Sequence, residues 1–244
     1  MKPYNKKGTT KGEEVRDMFN TIAPAYDRLN HILSFQIDKI WRHRVVRFVA
    51  NNTPESGEIL DLATGTGDLA IAMARQLPKS RVVGADPSEG MLAVAQTKIA
   101  ERGLTDRLSL MVQSAESMSF VDARFDTVTA AFGVRNFSDL ERGIREMVRV
   151  IRPDGWVVVL EFSTPPNPIF RALYNLYSRH IMPWIGALLS KDREAYEYLP
   201  ASVEEFASRS EFLELMSRVG LVNCTARSQS FGIAQIYVGQ KIRV

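Results

Sequence analysis

The chain has 244 residues, 45% of them hydrophobic and 24% charged, and its formal net charge is +3. This size suits one α/β domain with a full core, or one domain plus a small appendage, and the charge is too low to indicate nucleic-acid binding by itself. The single cysteine, Cys224, excludes an internal disulfide, so we expect a protein of the reducing cytoplasm without a structural zinc site.

The first twelve residues, MKPYNKKGTTKG, are polar and contain four lysines. This composition predicts a flexible basic tail over 1–12, and a basic arm that rests on an anionic membrane or on another subunit is the alternative. The segment lacks the apolar stretch of a secretory signal. The chain also contains no run of about 18 apolar residues, the length that a membrane-spanning helix needs.

Residues 13–52 have helical spacing and predict an N-terminal helical lid, ahead of a main domain over 53–244. Apolar side chains recur on one helical face in three segments, from Val15 to Ile22, from Leu29 to Leu33 after Pro24, and from Ile37 to Phe48. We therefore expect three helical segments before the first strand.

The pattern then changes to alternating strands and helices. Strands are predicted over 58–63, 81–86, 107–112, 125–132 and 156–162, and helices over 67–77, 88–103 and 138–152. Ser138 with Glu141 forms a capping-box pattern, and Asp154-Gly155 supplies the turn into the fifth strand. This order predicts an α/β fold with a doubly wound, mostly parallel sheet.

The C-terminal third begins with a proline-rich turn, TPPNP, which leads into a helical insertion at about 166–200. A helix is predicted over 203–219, with Ser202 and Glu205 as its capping box. Two strand-like runs, 221–228 and 233–241, then surround Phe231-Gly232 and predict an antiparallel hairpin at the edge of the sheet.

The turn after the first strand reads DLATGTGDLA. Gly65, Gly67 and Ala70 match the dinucleotide-binding pattern G-x-G-x-x-G/A, and Asp86 follows at the end of the second strand, where a carboxylate can hold ribose hydroxyls. This pattern predicts a nucleotide cofactor, but by itself it does not separate NAD from S-adenosylmethionine.

The charges beside this turn favour S-adenosylmethionine. Asp61 and Asp68 would repel the pyrophosphate that NAD places at a helix N-terminus, whereas they suit a cofactor that carries an ammonium and a sulfonium. The antiparallel hairpin is also typical of methyltransferase sheets. The predicted cofactor-binding residues are Asp61, Ala63, Gly65, Thr66, Gly67, Asp86, Pro87, Met91, Ser114, Ala115 and Phe132. For Met91, ordinary core packing is an equal alternative.

The stretch AAFGVRNFSD places Arg135 and Asn136 directly after the fourth strand. Burying an arginine and an amide there is costly unless both have partners. Because ligands of open α/β sheets bind at the carboxyl ends of the strands, we predict that both residues are catalytic. The alternative is a structural ion pair between Arg135 and a carboxylate such as Asp86 or Asp61.

Eight motifs, spread from residue 18 to residue 241, carry a family resemblance. They are MFNTIAPAYDRLN (18–30), LSFQIDKIWR (33–42), LDLATGTGDLA (60–70), ADPSEGML (85–92), FGVRNFSD (132–139), EMVRVIRPDGWVVVLEFSTP (146–165), YEYLPASVEEF (196–206) and SFGIAQIYVGQK (230–241). With them the chain resembles the ubiquinone/menaquinone biosynthesis C-methyltransferases. It departs from the family pattern at Gln36, where the family usually has glycine, at Ser114, where it often has Asp or Asn, and at Ser117 to Phe120.

The resemblance implies the class I S-adenosylmethionine-dependent methyltransferase fold. It also implies C-methylation of a polyprenylated hydroquinone. The expected substrate is demethylmenaquinol, and a ubiquinol precursor is left open as a second substrate. Ionising a hydroxyl makes the neighbouring ring carbon nucleophilic, and a fixed cation such as Arg135 favours the ionised phenol. The base is left open among Asp27, His31 and water, and no metal is implied. The expected substrate-binding residues are Phe19, Tyr26, Asn30, Phe35, Tyr196, Tyr198 and Phe231.

A prenylated substrate implies contact with the membrane surface from the cytoplasmic side. The segment 169–190 is rich in apolar and aromatic residues with interspersed cations. An interfacial amphipathic segment has this composition, and so does an insertion packed on the domain or against a second subunit, so a homodimer is left open. The alternatives to the quinol enzyme are a methyltransferase for another phenol or lipid, an NAD-dependent oxidoreductase, and a scaffold without activity.

Overall fold

The computed structural model describes residues 1–177 and 193–243, apart from the side chains of Arg28, Leu29, Leu33, Arg193, Tyr196 and Glu197. In this part of the chain, the strands are β1 Glu58–Leu62, β2 Arg81–Asp86, β3 Leu108–Val112, β4 Phe125–Ala131, β5 Ile151–Phe162, β6 Leu221–Gln229 and β7 Ala234–Lys241. The helices are α1 Lys11–Leu33, α2 Ile37–Asn52, α3 Asp68–Gln76, α4 Glu89–Glu101, α5 Leu140–Val150, α6 Pro168–Leu176, α7 Arg193–Glu205 and α8 Arg209–Arg218.

The strands form one sheet in the order β3-β2-β1-β4-β5-β7-β6. The five strands from β3 to β5 are parallel, and β7 runs antiparallel to both β5 and β6. The predicted α/β class, the doubly wound parallel sheet and the terminal hairpin are therefore confirmed.

Apolar side chains cover both faces of the sheet. Along β5, Val157 and Val159 belong to a cluster with α5 and α8, whereas Val158 and Leu160 belong to a cluster with α2 and α3. Successive residues of a strand point to opposite faces, so the unbroken apolar run of β5 fits its central position. A third cluster joins α1 to Met91 of α4 and to α7, at one end of the sheet.

Helix α1 is continuous, although the sequence predicted a break at Pro24. Proline lies inside the helix, where it removes one backbone hydrogen bond. Met18, Ile22 and Ala23 before the proline are buried, and Ala25 and Tyr26 after it pack against the same cluster. Burial of apolar side chains on both sides of the proline outweighs the loss of one hydrogen bond. The flexible tail was predicted over 1–12, and its last two residues belong to α1. Residues before them contact this helix, since the amides of Tyr4 and Lys6 donate to the Glu14 carboxylate.

Two predicted helix caps are wrong. Ser202 lies inside α7, which ends at Glu205, and the capping box belongs to Ser208 and Glu211 at the start of α8. The predicted helix over 203–219 is thus the end of one helix and the whole of the next. Asp139 caps α5 in place of Ser138. The Ser-x-x-Glu pattern recurs at short intervals, so the local sequence does not select the site that tertiary packing uses.

Strand β5 starts earlier than predicted, directly after α5. Its pairing with β4 shifts register between Phe125 and Thr127, where Asp154 adopts a φ of +66°. The Asp154-Gly155 pair is therefore an irregularity within the strand rather than the turn that precedes it.

Candidate active site

Two cavities meet at the carboxyl ends of the parallel strands. The first, here called the glycine-loop cavity, has a volume of about 500 Å³ and lies between the β1–α3 turn and α1. The second, here called the apolar cavity, has a volume of about 310 Å³ and lies among α1, α2, α6 and α7. Tyr26 and Phe132 line both cavities, so they form the wall through which the cavities meet.

The glycine-loop cavity collects most of the predicted cofactor-binding residues. Those that line it are Ala63, Gly65, Asp86, Pro87, Met91, Ser114, Ala115 and Phe132. At Gly65, φ is +55°, and a Cβ atom would meet nothing within 4 Å, so the backbone there leaves room for a ligand. Gly133, at the end of β4, approaches Ala63 so closely that a Cβ atom on it would overlap the Ala63 side chain.

Asp86 is buried beside this cavity. Its carboxylate accepts hydrogen bonds from the amides of Ser88, at 2.8 Å, and Gly65, at 2.9 Å. Burial raises the pKa of Asp86 to about 6, although the two hydrogen bonds favour the ionised form and lower the pKa. A carboxylate has about four lone-pair positions, so after these two bonds it can still accept from two ribose hydroxyls.

Two amides of the glycine turn are occupied within the protein. Gly65 donates to Asp86 as described, and Gly67 donates to the carbonyl of Thr64 at 2.9 Å. A pyrophosphate needs free amides at this turn, whereas an adenosyl cofactor needs the ribose carboxylate and an apolar face such as that of the buried Met91. The residues present therefore fit S-adenosylmethionine better than a dinucleotide.

Three predicted cofactor residues lie behind the turn and do not line the cavity. The Asp61 carboxylate accepts from the hydroxyls of Thr64 and Thr129, each at 2.7 Å, and burial raises its pKa to about 6. The Thr66 hydroxyl donates to the Asp27 carboxylate. Gly67 occupies the N-cap position of α3, with a φ of +80°. These residues hold the shape of the turn.

Arg135 is buried and its ion-pair partner is Glu161, not Asp86 or Asp61. The Arg135 Nη1 lies 2.6 Å from Glu161 Oε1, and the two side chains are 3% and 0% exposed. Nε donates to Ser202 at 3.2 Å, and Nη1 also donates to the carbonyl of Phe132. Burial alone would lower the pKa of this guanidinium, but Glu161 raises it. The arginine nevertheless lines the apolar cavity.

Asn136 lines the glycine-loop cavity. Its Oδ1 accepts a hydrogen bond from the Tyr198 hydroxyl at 3.1 Å. Tyr198 is buried, which raises its pKa to about 12, and it lines neither of the two cavities. The structure thus places Tyr198 as a support for Asn136.

The other predicted substrate residues divide between the cavities. Tyr26, Asn30 and Phe35 line the apolar cavity, whereas Phe19 lines the glycine-loop cavity and meets the Tyr26 ring edge-on at 5.9 Å. Burial raises the pKa of Tyr26, and the nearby Arg135 opposes this. Phe231 is 70% exposed, stacks on Phe170 and lines neither cavity. The side chain of Tyr196 lies outside the described part of the structure.

Neither side chain proposed as a base lines either cavity. Asp27 lies 2.6 Å from Lys98 Nζ. His31 Nδ1 lies 3.0 Å from Asp38 Oδ2, and its Nε2 lies 3.5 Å from Asp68 Oδ2. Asp38 does line the apolar cavity, as does Arg42.

Sequence reasoning missed Glu161, Ser202, Asp38 and Arg42. Glu161 carried a signal, because it is a single acid at the end of the apolar run WVVVLEF, on the strand next to Arg135. Asp38 and Arg42 lie four residues apart on α2 and form an ion pair, which sequence alone presents as an ordinary surface pair.

Among the described residues, no group of His, Cys, Asp and Glu side chains could hold a metal ion. In the same part of the chain, no helix is long and apolar enough to cross a bilayer.

The chain matches the ubiE/COQ5 methyltransferase family over residues 7–241. It is 47% identical to the ubiquinone/menaquinone biosynthesis C-methyltransferase UbiE of Geobacter sulfurreducens over 234 residues, which cover 96% of this chain and 90% of the relative. It is 41% identical to the demethylmenaquinone methyltransferase of Bacteroides fragilis, with 99% of this chain and 97% of the relative covered.

Solved structures share the fold at lower identity. The [4+2]-cyclase SpnF is 19% identical, with a TM-score of 0.69 and with 97% of this chain and 98% of that chain covered. An S-adenosylmethionine-dependent methyltransferase from Aquifex aeolicus is 14% identical, with a TM-score of 0.59 and with 82% of this chain and 89% of that chain covered.

Proposed function

Because the chain belongs to the ubiE/COQ5 methyltransferase family, whose members are S-adenosylmethionine-dependent enzymes, we propose that it methylates a ring carbon of a polyprenylated hydroquinone. The substrate that we propose is demethylmenaquinol, which becomes menaquinol. The relatives named as ubiquinone/menaquinone and demethylmenaquinone methyltransferases support this choice. The observation that carries it is the meeting of the two cavities at Tyr26 and Phe132.

The glycine-loop cavity would hold the cofactor. Asp86 would accept from the ribose hydroxyls, and Met91 and Ala115 would pack on the adenine. When bound, S-adenosylmethionine supplies an electrophilic methyl group on a sulfonium. The volume of about 500 Å³ lies within the range of small-molecule sites. We also assign contacts with the cofactor to the other predicted residues that line this cavity, which are Ala63, Gly65, Pro87, Ser114 and Phe132.

The apolar cavity would hold the hydroquinone ring beside Arg135. Glu161 and the Phe132 carbonyl fix the guanidinium through Nη1, and we assign Nη2 to the substrate oxygen. A cation at that oxygen lowers the pKa of the phenol and so increases the electron density on the neighbouring carbon. We assign to Asn136, held by Tyr198, the orientation of the reacting groups in the adjoining cavity.

The prenyl tail would leave the apolar cavity through a rim of exposed apolar side chains. Phe35, Phe170 and Leu173 line the cavity and are 72%, 36% and 59% exposed. None of the residues of α6 is buried, and Phe231 extends the rim by stacking on Phe170 at 4.3 Å. Phe35 and Phe231 have φ angles of +50° and +61°, a strained geometry that is frequent at functional sites.

We assign this rim to the surface of a bilayer. Residues 178–190 of the segment predicted to contact the membrane lie outside the described residues. Flotation with anionic liposomes tests the assignment: Phe35→Ser with Phe231→Ser should weaken binding, whereas Val121→Ser, a control at a side chain that is also 70% exposed, should not. Equal liposome binding of the rim variant and the control would refute the assignment to a bilayer. A dimer in light scattering that the Phe35 and Phe231 changes dissociate would assign the rim to an interface between two copies of the chain.

A product assay tests the reaction itself. Purified protein, S-adenosylmethionine and reduced demethylmenaquinone in detergent would be analysed by mass spectrometry, with the demethylated ubiquinol precursor in parallel. We expect the methylated naphthoquinol. Methylation of both rings would indicate a dual-use enzyme. Neither product, with cofactor binding intact, would refute the proposed substrate and direct attention to Gln36, which lies between the lining residues Phe35 and Ile37.

A further inference from the structure

Three titratable side chains form a line from the apolar cavity to the outside of the protein. Asp38 lines the cavity, and its Oδ2 lies 3.0 Å from His31 Nδ1. His31 Nε2 lies 3.5 Å from Asp68 Oδ2. The side-chain exposures are 3% for Asp38 and 23% for both His31 and Asp68, so the line begins at a buried carboxylate and ends where water has access.

The proposed reaction releases one proton in each turnover. A ring C–H bond breaks and a C–C bond to the methyl group forms, while the electron pair of the broken C–S bond stays on sulfur. The phenol that was ionised is restored, so one proton is left over. An isolated charge in an apolar cavity is costly, so this proton needs a path to water.

Asp38 is suited to begin such a path. It is the one carboxylate among the described residues that line the apolar cavity. Glu161 does not line this cavity and is paired with Arg135. Its Oδ1 accepts from the Ser34 hydroxyl, and its Oδ2 faces His31 and Arg42. These contacts fix the carboxylate at the cavity wall.

We propose that Asp38, His31 and Asp68 form a proton relay that carries the proton of the bound hydroquinone from the apolar cavity to solvent. This inference rests on the proposed function. The substrate O–H gives its proton to Asp38, Asp38 passes it to His31 Nδ1, and His31 releases a proton from Nε2 to Asp68 and water. Imidazole suits the middle position, because one ring nitrogen can accept a proton while the other donates.

Several charged groups surround His31. Asp38 of α2 and Asp68 of α3 face its two nitrogens, Arg42 lies against both carboxylates, and Lys98 of α4 binds Asp68 at 2.5 Å. Asp27 of α1 shares Lys98. Burial alone would raise the pKa of Asp68, but Arg42 and Lys98 lower it, which keeps the outer end of the line ionised.

The same contacts also join α1 and α2 to the glycine turn, so a purely structural role, here called a latch, would use the same residues to hold these helices in place. The two roles differ in what a non-titrating side chain does. His31→Gln keeps a hydrogen-bonding amide between the carboxylates and cannot carry a proton. A latch would tolerate this change, and a relay would not.

The test compares His31→Gln with His43→Gln, a matched control at an exposed histidine of α2. Methylated quinol is measured across pH, with cofactor affinity measured in parallel. We expect kcat of His31→Gln to fall by about a hundredfold or more, which is the lower end of the range for general acid–base catalysis. The cofactor Kd should stay within about twofold of the wild-type value, and His43→Gln should resemble the wild type.

Chemical rescue provides a second measurement. Free imidazole should restore part of the kcat of His31→Ala in a concentration-dependent way, and it should leave His43→Ala unchanged. A kcat of His31→Gln within threefold of wild type, or a loss with no rescue and with the wild-type pH profile, would overturn the relay. A wild-type protein that forms no methylated quinol would instead refute the proposed function, and the relay with it.

Discussion

Removal of the Arg135 side chain tests two roles of one residue. Arg135 and Glu161 are 3% and 0% exposed, with 2.6 Å between Nη1 and Oε1. Arg135→Met leaves the Glu161 charge buried without its partner, which should reduce the free energy of unfolding by roughly 3–5 kcal/mol. We also expect kcat/KM to fall by about a hundredfold or more, as when a fixed donor is removed from a water-excluded site.

The double variant Arg135→Met with Glu161→Gln separates these effects. It leaves no uncompensated charge, and the carboxamide that replaces the Glu161 carboxylate would keep one acceptor for the backbone amides of residues 135 and 162, which Glu161 now binds. We expect it to recover at least about half of the lost stability without recovering activity. Urea denaturation and the mass-spectrometric product assay measure the two quantities.

Two results would refute this reasoning. A stability loss below about 1 kcal/mol in Arg135→Met would show that the charge of Glu161 does not depend on this partner. A double variant with kcat/KM within threefold of wild type would show that Arg135 acts only through the fold. Arg135→Lys is the matched control, because it keeps the charge and loses the planar fork that joins Glu161, Ser202 and Phe132.

Three further predictions concern the glycine-loop cavity and the start of α2. Burial raises the pKa of Asp86 to about 6, so its carboxylate becomes protonated below that pH. Titration calorimetry should therefore show the cofactor affinity falling about tenfold from pH 7 to pH 5. Asp86→Asn should abolish this pH dependence. Gly133→Ala should cost about 1–3 kcal/mol by overpacking against Ala63, and adding Ala63→Gly should restore the urea midpoint; a midpoint unchanged by Gly133→Ala would contradict the close approach. Gln36 has a φ of +61°, so Gln36→Gly should raise the free energy of unfolding by up to about 1 kcal/mol, whereas Gln36→Ala should not.

The sheet could be predicted from sequence because its signals are local. The apolar run of β5 indicates a strand buried on both faces, and the glycine turn with Asp86 indicates the order of the first two strands. The terminal hairpin could be predicted for the same reason, since two strand-like runs surround Phe231-Gly232.

Other features depend on contacts between distant segments. The break expected at Pro24 is absent, and the partly buried Ala25 and Tyr26 directly after it pack against the same cluster as the buried residues before it. The partner of Arg135 lies 26 residues away, and sequence reasoning named two other carboxylates. The side chains at His31 come from three different helices, so no sequence window contains them together.

The shared wall of Tyr26 and Phe132 has a kinetic consequence. The glycine-loop cavity is bordered by the exposed Glu13 and Arg16, and the apolar cavity by the exposed Phe35 and Phe170. With the proposed assignment of the cavities, the methyl donor and its acceptor would use different openings, and neither would have to depart before the other is exchanged. With the rim on a bilayer, as proposed, the enzyme would renew its donor from water while its acceptor side stays on the lipid surface. Its turnover would then follow the number of quinols per unit of membrane area rather than their concentration in bulk solution.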